Sequence, residues 1–404
     1  MTRRLRRAAV GAAAVGLVVV PLGAGTGYAS HTSARQAASV AAPVRADDAF
    51  VQLTPAVAKQ LDDAVLKVLA EAKVPGVVVA VSAPGKGQYV RSFGVADKST
   101  GAPMTTGMNV RIGSETKTFT VTALLELVDQ GKVGLDDPIG KYIKGVPNGD
   151  RITLRELAGM RSGLFSYSQD PDFFKALTTN PTRPFTPQEL LAYAFKHPVM
   201  FAPNAKFYYS NTNLILLGLV VEKVTGQKLG DYIHRNVVVP AGLRHTVFPT
   251  GAEFPKPHPQ GYTDQTASGK VENSTDWNPS WGWAAGAMIS DLPDLRTWAK
   301  VLATGELLKP ATQAERLKVQ PAGNAPDTGY GLGIFKDGGW VGHNGSLPGY
   351  EVVVMYLPEA QATMVIMLNT DITAQGEEPS TLFGRAVTQI VSPKHVYWLE
   401  PQKS

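Results

Sequence analysis

Apolar residues recur at helical spacing through Val57, Leu61, Val65, Val68 and Leu69, and the pattern stops before Pro75-Gly76. That predicts an amphipathic helix. The next run, "GVVVAVSAPGKGQYVRSFGVAD", changes period, with two β-rich stretches on either side of Pro84-Gly85-Lys86-Gly87. It predicts a hairpin. From about Gly113 to Lys300 the text is mostly helical, broken by Gly/Pro loops, and strand text then returns in "GYGLGIF", "GWVGHNG", "YEVVVMYL" and "TMVIMLNT" before a last helix from about Ser380 to Ile390. Strand pairs at both ends with helices between them predict an α/β (α+β) fold. Its antiparallel sheet is built from N- and C-terminal segments, flanked by helices, with an inserted and mostly helical lobe. A cleft is expected between sheet and lobe.

The first residues qualify this picture. "MTRRLRRAAVGAAAVGLVVVPLGAGTGYAS" places four arginines ahead of an apolar run and then small residues around Ala29. This predicts a secretory signal over residues 1–29, with Arg3-Arg4 leaving the twin-arginine route open. Pro21 and the glycines leave less than the ~20 apolar residues of a membrane span, so no stable anchor is expected. Residues 30–47, rich in Ala and Ser, read as a flexible lead or pro-segment. The expected location is extracellular.

Of the formal charge of +5, four positive charges lie in that leader, so the mature chain is close to neutral and a nucleic-acid partner loses its support. There is no cysteine among the 404 residues, which excludes a thiol nucleophile and a disulfide framework. His31, His197, His234, His245, His258 and His395 form no metal-ligand pattern. No cofactor or metal is implied, and a monomer is expected.

Three short stretches carry candidate chemistry. Ser114 and Lys117, in "RIGSETKTFTVTALLELVDQGK", stand at i and i+3 on a predicted helix, where side chains neighbour one another. A lysine desolvated in a cleft, at a helix N-terminus, loses basicity towards that of a useful base. A capping serine with a surface lysine is the alternative. In "APNAKFYYSNTNLILLGLVVEKVTG", Tyr209 and Asn211 fall on a loop at the start of an apolar helix that stops at Gly226. A phenol can shuttle a proton and an amide can grip a peptide carbonyl, although a cap and core packing would explain both residues as well. In "GWVGHNGSLPGY", His343, Asn344 and Gly345 are expected at the end of an edge strand facing a cleft, with Gly345 letting a ligand backbone come close.

Taken in the order S-x-x-K, Y-x-N, H-x-G, the chain from about Val57 to Ile390 resembles the penicillin-recognising serine hydrolases. It is most similar to the secreted Streptomyces-type D-Ala-D-Ala carboxypeptidases grouped with class C β-lactamases. "DRITLRELAGMRSGLFSY", "PAGLRHTVF", "SWGWAAGAMIS" and "GHNGSLPGY" add to the likeness. The resemblance implies that residues 48–404 form a serine β-lactamase/DD-peptidase-like catalytic domain working through an acyl-enzyme. Ser114 would be the nucleophile, Lys117 and Tyr209 would handle its proton, and His343 would tune Tyr209. Asn211 would hold the acyl-side amide, the N–H groups of Ser114 and Ser346 would form the oxyanion hole, and Trp281 would line the cleft.

Two departures stand out. Asn344 offers an amide where the strand motif of the family usually has a hydroxyl that helps bind a substrate carboxylate, and only Lys336 offers a cation where the carboxypeptidases carry an arginine to clamp it. The resemblance still implies D-alanyl-D-alanine peptides of the cell wall as the acyl donors, with β-lactams as further candidates. Esterase, D-amino-acid amidase or peptidase, weak β-lactamase, and a non-catalytic penicillin-binding protein remain as alternatives.

Overall fold

The computed structural model describes residues 49–323 and 327–399. The expected leader and lead segment lie outside the described residues. Helix α1 (Pro55–Glu71) starts where Thr54 caps it, its hydroxyl accepting from the Val57 N–H at 3.3 Å. Strands β1 (Gly76–Ala83) and β2 (Gly87–Gly94) then form the expected hairpin.

Strand text late in the chain gives β3 (Phe335–Asp337), β4 (Trp340–Leu347), β5 (Tyr350–Leu357) and β6 (Ala362–Leu368). The antiparallel sheet runs β2-β1-β6-β5-β4-β3 and is prolonged by the short pairs at Gly329–Tyr330 and Gln320–Pro321. Val79 lies opposite Ile366, so the N- and C-terminal strands pair inside the sheet, one strand in from its β2 edge. Every residue of β5 is buried, as a strand covered on both faces requires. Three further helices are α2 (Thr116–Asp129), α3 (Asn211–Thr225) and α4 (Leu292–Thr304), and α5 (Pro379–Val391) is the last. Helix α5 packs on β5 and β6 together with α1, while α4 packs on the same strands and on α2 through Phe119 stacked 4.0 Å from Trp298. Helices α2 and α3 are buried along most of their length and pack on one another.

One expectation is corrected here. Strand β4 is not the edge of the sheet, because β3 pairs with Trp340, Val341 and Gly342. The edge is free only from His343 onward. There it meets the chain itself: a Cβ on Gly345 would stand 2.0 Å from the Ile112 carbonyl oxygen, and one on Gly113 would stand 2.8 Å from the Ser346 nitrogen. The space at Gly345 is thus taken by Ile112 rather than kept for a ligand backbone.

Replacing Gly345 by Ala should push Ile112 away from β4 and cost about 1–3 kcal/mol, read as a lower urea midpoint. The same change at Gly107, where an added Cβ meets nothing within 4 Å, should stay within about 0.5 kcal/mol; equal losses at the two positions would contradict this view of the contact.

Candidate active site

Ser114 sits in a tight 3-10 turn, Gly113–Glu115, that feeds α2. Gly113 has φ +49°, a left-handed conformation that bends the chain sharply before the helix. One turn on, Lys117 is fully buried, with Nζ 2.7 Å from Ser114 Oγ and 2.8 Å from the Ala285 carbonyl oxygen. Burial without a carboxylate partner holds this amine well below the ordinary lysine range. Tyr209, just ahead of α3, lies with its ring centroid 4.9 Å from Lys117 Nζ. Burial raises its phenol well above the usual value, opposed by a hydrogen bond with Ser114. The amine is therefore the stronger candidate for accepting the serine proton, and the phenol keeps its own proton to donate.

His343 is fully buried in the same group, its ring centroid 6.1 Å from that of Tyr209. Nδ1 donates to the Asn344 carbonyl at 2.5 Å, which leaves Nε2 to accept from the Tyr330 hydroxyl at 3.2 Å. Desolvation is the largest cause that pushes its pKa down to about 3, so the ring is neutral. Both nitrogens are spent elsewhere, so His343 reaches Tyr209 by ring packing and through Tyr330. Tyr330 was missed by sequence reasoning, although it stands in the quoted "GYGLGIF".

Asn344 is turned the other way, and its Nδ2 donates to Glu378 Oε2 at 2.9 Å. Lys336 is exposed on β3. Neither lines the cavity beside Ser114, which corrects the expectation of an Asn344 amide offered to a substrate carboxylate. Ser346 does line it. Leu347 and Tyr350 face each other across Pro348-Gly349 as the closing pair of a two-residue turn, so alternation along β4 turns the Ser346 N–H away from β5 and towards the Ser114 turn.

The cavity holds about 210 Å³. Ser114, Asn211, Trp281 and Ser346 open onto it, whereas Lys117, Tyr209, His343 and Gly345 stand behind its wall. Phe173 and Phe174 form an aromatic side with Tyr167, whose hydroxyl donates to the Trp281 carbonyl at 2.6 Å. The opposite side brings a second surprise: Glu351, Asp371 and Glu378. The signal for Glu351 was present in "YEVVVMYL", as a lone charge in an apolar strand.

The profile of the β-lactamase family matches residues 60–387. The chain belongs to that family of serine hydrolases. Among solved structures it is similar to a D-stereospecific amidohydrolase from Streptomyces sp., 31% identical over 82% of this chain and 97% of that one, with a TM-score of 0.74. It is also similar to the D-amino acid amidase from Ochrobactrum anthropi SV3 complexed with D-phenylalanine, 28% identical over 82% and 96%, TM-score 0.70. Protein flp of Staphylococcus aureus strain MW2 is 26% identical over 83% of this chain and 67% of its own length. The α/β fold with a large antiparallel sheet is that of the family.

Within this member of the family, Lys117→Met should lower the rate of acyl transfer roughly 10²–10⁴-fold. It should also remove part of the pH dependence of stability. The unfolded chain binds a proton at Lys117 up to about pH 10.4 while the folded chain does not, so the wild-type fold gains stability as pH rises towards that value. A variant with the same stability–pH slope as wild type would show that Lys117 is charged in place.

Proposed function

We propose that this protein is an exported serine amidohydrolase that acylates on Ser114 and takes amides or short peptides of D-amino acids. The observation that carries this reading is the 2.7 Å contact between Ser114 Oγ and the buried Lys117 Nζ at the edge of the cavity. With Lys117 neutral, Oγ attacks the substrate carbonyl carbon as its proton passes to Nζ, and the oxyanion forms beside the Ser114 and Ser346 N–H groups. Collapse breaks the C–N bond, and the leaving amine takes a proton supplied through Tyr209 while Lys117 restores the phenol. Water then attacks the ester, gives up a proton along the same route and releases Ser114.

The choice of amides over a D-alanyl-D-alanine carboxypeptidase activity rests on charge. A carboxypeptidase must receive a substrate carboxylate, yet the side chains around this cavity include three carboxyl groups and no lysine or arginine. An anion entering there would meet no counter-charge. Support for D-configured amides comes from the two amidohydrolase neighbours. Support for export comes from the leader-like first 29 residues. The presence together of Ser114, Lys117 and Tyr209 supports turnover rather than a scaffold role.

D-phenylalaninamide, L-phenylalaninamide and diacetyl-Lys-D-Ala-D-Ala should be compared as substrates, with a fluorescent penicillin followed by mass. The D-amide should be hydrolysed in preference to the L-amide, with little D-alanine released from the peptide, and Ser114→Ala should cost on the order of 10³–10⁶ in kcat. Fast D-alanine release without amide hydrolysis would return the protein to the carboxypeptidases. A penicillin adduct on any residue other than Ser114 would remove the proposed nucleophile.

A further inference from the structure

The cavity beside Ser114 offers acceptors on several sides. Asp371, just beyond β6, is engaged: Oδ1 accepts from the Gly349 N–H at 2.8 Å, and Oδ2 accepts from Gln265 Nε2 at 2.5 Å and Thr263 Oγ1 at 3.1 Å. Glu378, the residue before α5, accepts from Asn344 Nδ2 at 2.9 Å and is only partly covered. Glu351 is fully buried. Its Oε2 accepts from the Ser380 N–H at 2.8 Å, and its Oε1 has no partner.

Asn211 brings a second, independent vacancy of bonding. It is 8% exposed and lines the cavity; its Nδ2 donates to Ser168 Oγ at 3.0 Å, and its Oδ1 has no partner. Two buried acceptors are thus left unsatisfied around one small space, where a native fold ordinarily satisfies each such atom. Burial raises the carboxyls of Glu351 and Glu378, and neighbouring carboxyl groups add to the rise at both; burial alone pushes Asp371 up to about 6, against the hydrogen bonds it accepts. Arg385, seven residues beyond Glu378 in sequence, is paired with Glu377 instead.

We propose that Glu351 and Glu378, with Asn211 Oδ1, form a subsite for a primary ammonium on the acyl half of the substrate. An ammonium has three donors and no acceptor, which suits an open edge of Glu378, a free Glu351 oxygen and a free amide oxygen. It also supplies the counter-charge that the carboxyl groups lack. Phe173, Phe174 and Trp281 across the cavity suit an apolar side chain on the same acyl group. The inference rests on the amide-hydrolase reading, and it narrows the substrate class to acyl groups carrying a free amine. The nitrogen is either the α-ammonium of an aminoacyl group or the side-chain ammonium of a lysyl one.

The test uses non-hydrolysable ligands on the intact protein, so that it does not depend on turnover. D-phenylalaninol, N-acetyl-D-phenylalaninol and N-acetyl-D-lysinol are titrated by calorimetry into wild type, Glu378→Gln and Glu351→Gln. D-phenylalaninol should bind at least tenfold more tightly than its acetylated form, and the advantage should shrink at least tenfold in either variant. A preference for N-acetyl-D-lysinol that shrinks in the same variants supports the same subsite with the side-chain nitrogen as its ligand. Equal affinity of wild type for amine and acetylated ligands overturns the proposal, even if the variants fail to fold. So does an amine preference that survives both substitutions. Loss of D-amide hydrolysis with the amine preference intact would sink the amide-hydrolase reading alone, whereas D-amide hydrolysis without amine preference would sink the subsite alone.

Discussion

The site depends on a contact between two stretches of backbone. Ile112 and Gly113 press against Gly345 and Ser346 so closely that a side chain on either glycine would overlap the other segment. Two segments more than two hundred residues apart are thereby held at a separation set by van der Waals contact, not by flexible side chains. The donor of Ser346 and the hydroxyl of Ser114 are positioned together as a result. Catalytic groups need placement to within a fraction of an ångström, and backbone-to-backbone packing is a stiff way to provide it.

Once the turn is fixed, the chemistry follows from dielectric. Lys117 has two polar contacts and no counter-ion, so the fold holds it as an amine, and His343 beside it is held neutral by the same burial. Tyr209 is driven in the opposite sense because its charged form is an anion. One apolar environment thus separates a base from an acid among groups whose solution pKa values are nearly equal. The arrangement stores unfavourable solvation at the place where function uses it.

The substrate side of the cleft was less legible. Sequence reasoning looked for groups to meet a carboxylate and found the Asn344 amide and the Lys336 cation, and the fold turns the first towards Glu378 and leaves the second in solvent. The carboxyl groups that do line the cavity come from the start of an apolar strand, the loop after β6 and the residue ahead of α5. Read singly, each has an ordinary explanation as a sheet residue, a loop residue or a helix cap. Only their convergence gives them meaning.

Local spacing alone was enough for the serine and lysine pair, because a single helical turn brings i and i+3 together whatever the remainder of the chain does. The same holds for the first hairpin, the stop of α3 at Gly226 and the last helix, whose signals lie within a few residues of the structure they specify. Which way Asn344 faces, what fills the space at Gly345, and whether His343 touches Tyr209 or Tyr330 were settled by strand register and by packing between distant segments. A one-residue change of register would reverse the faces of β4, and nothing in a short stretch of text encodes that choice. The acceptors around the cavity belong to the same class: they are far apart in the chain, and their shared environment exists only after the sheet has closed on the lobe.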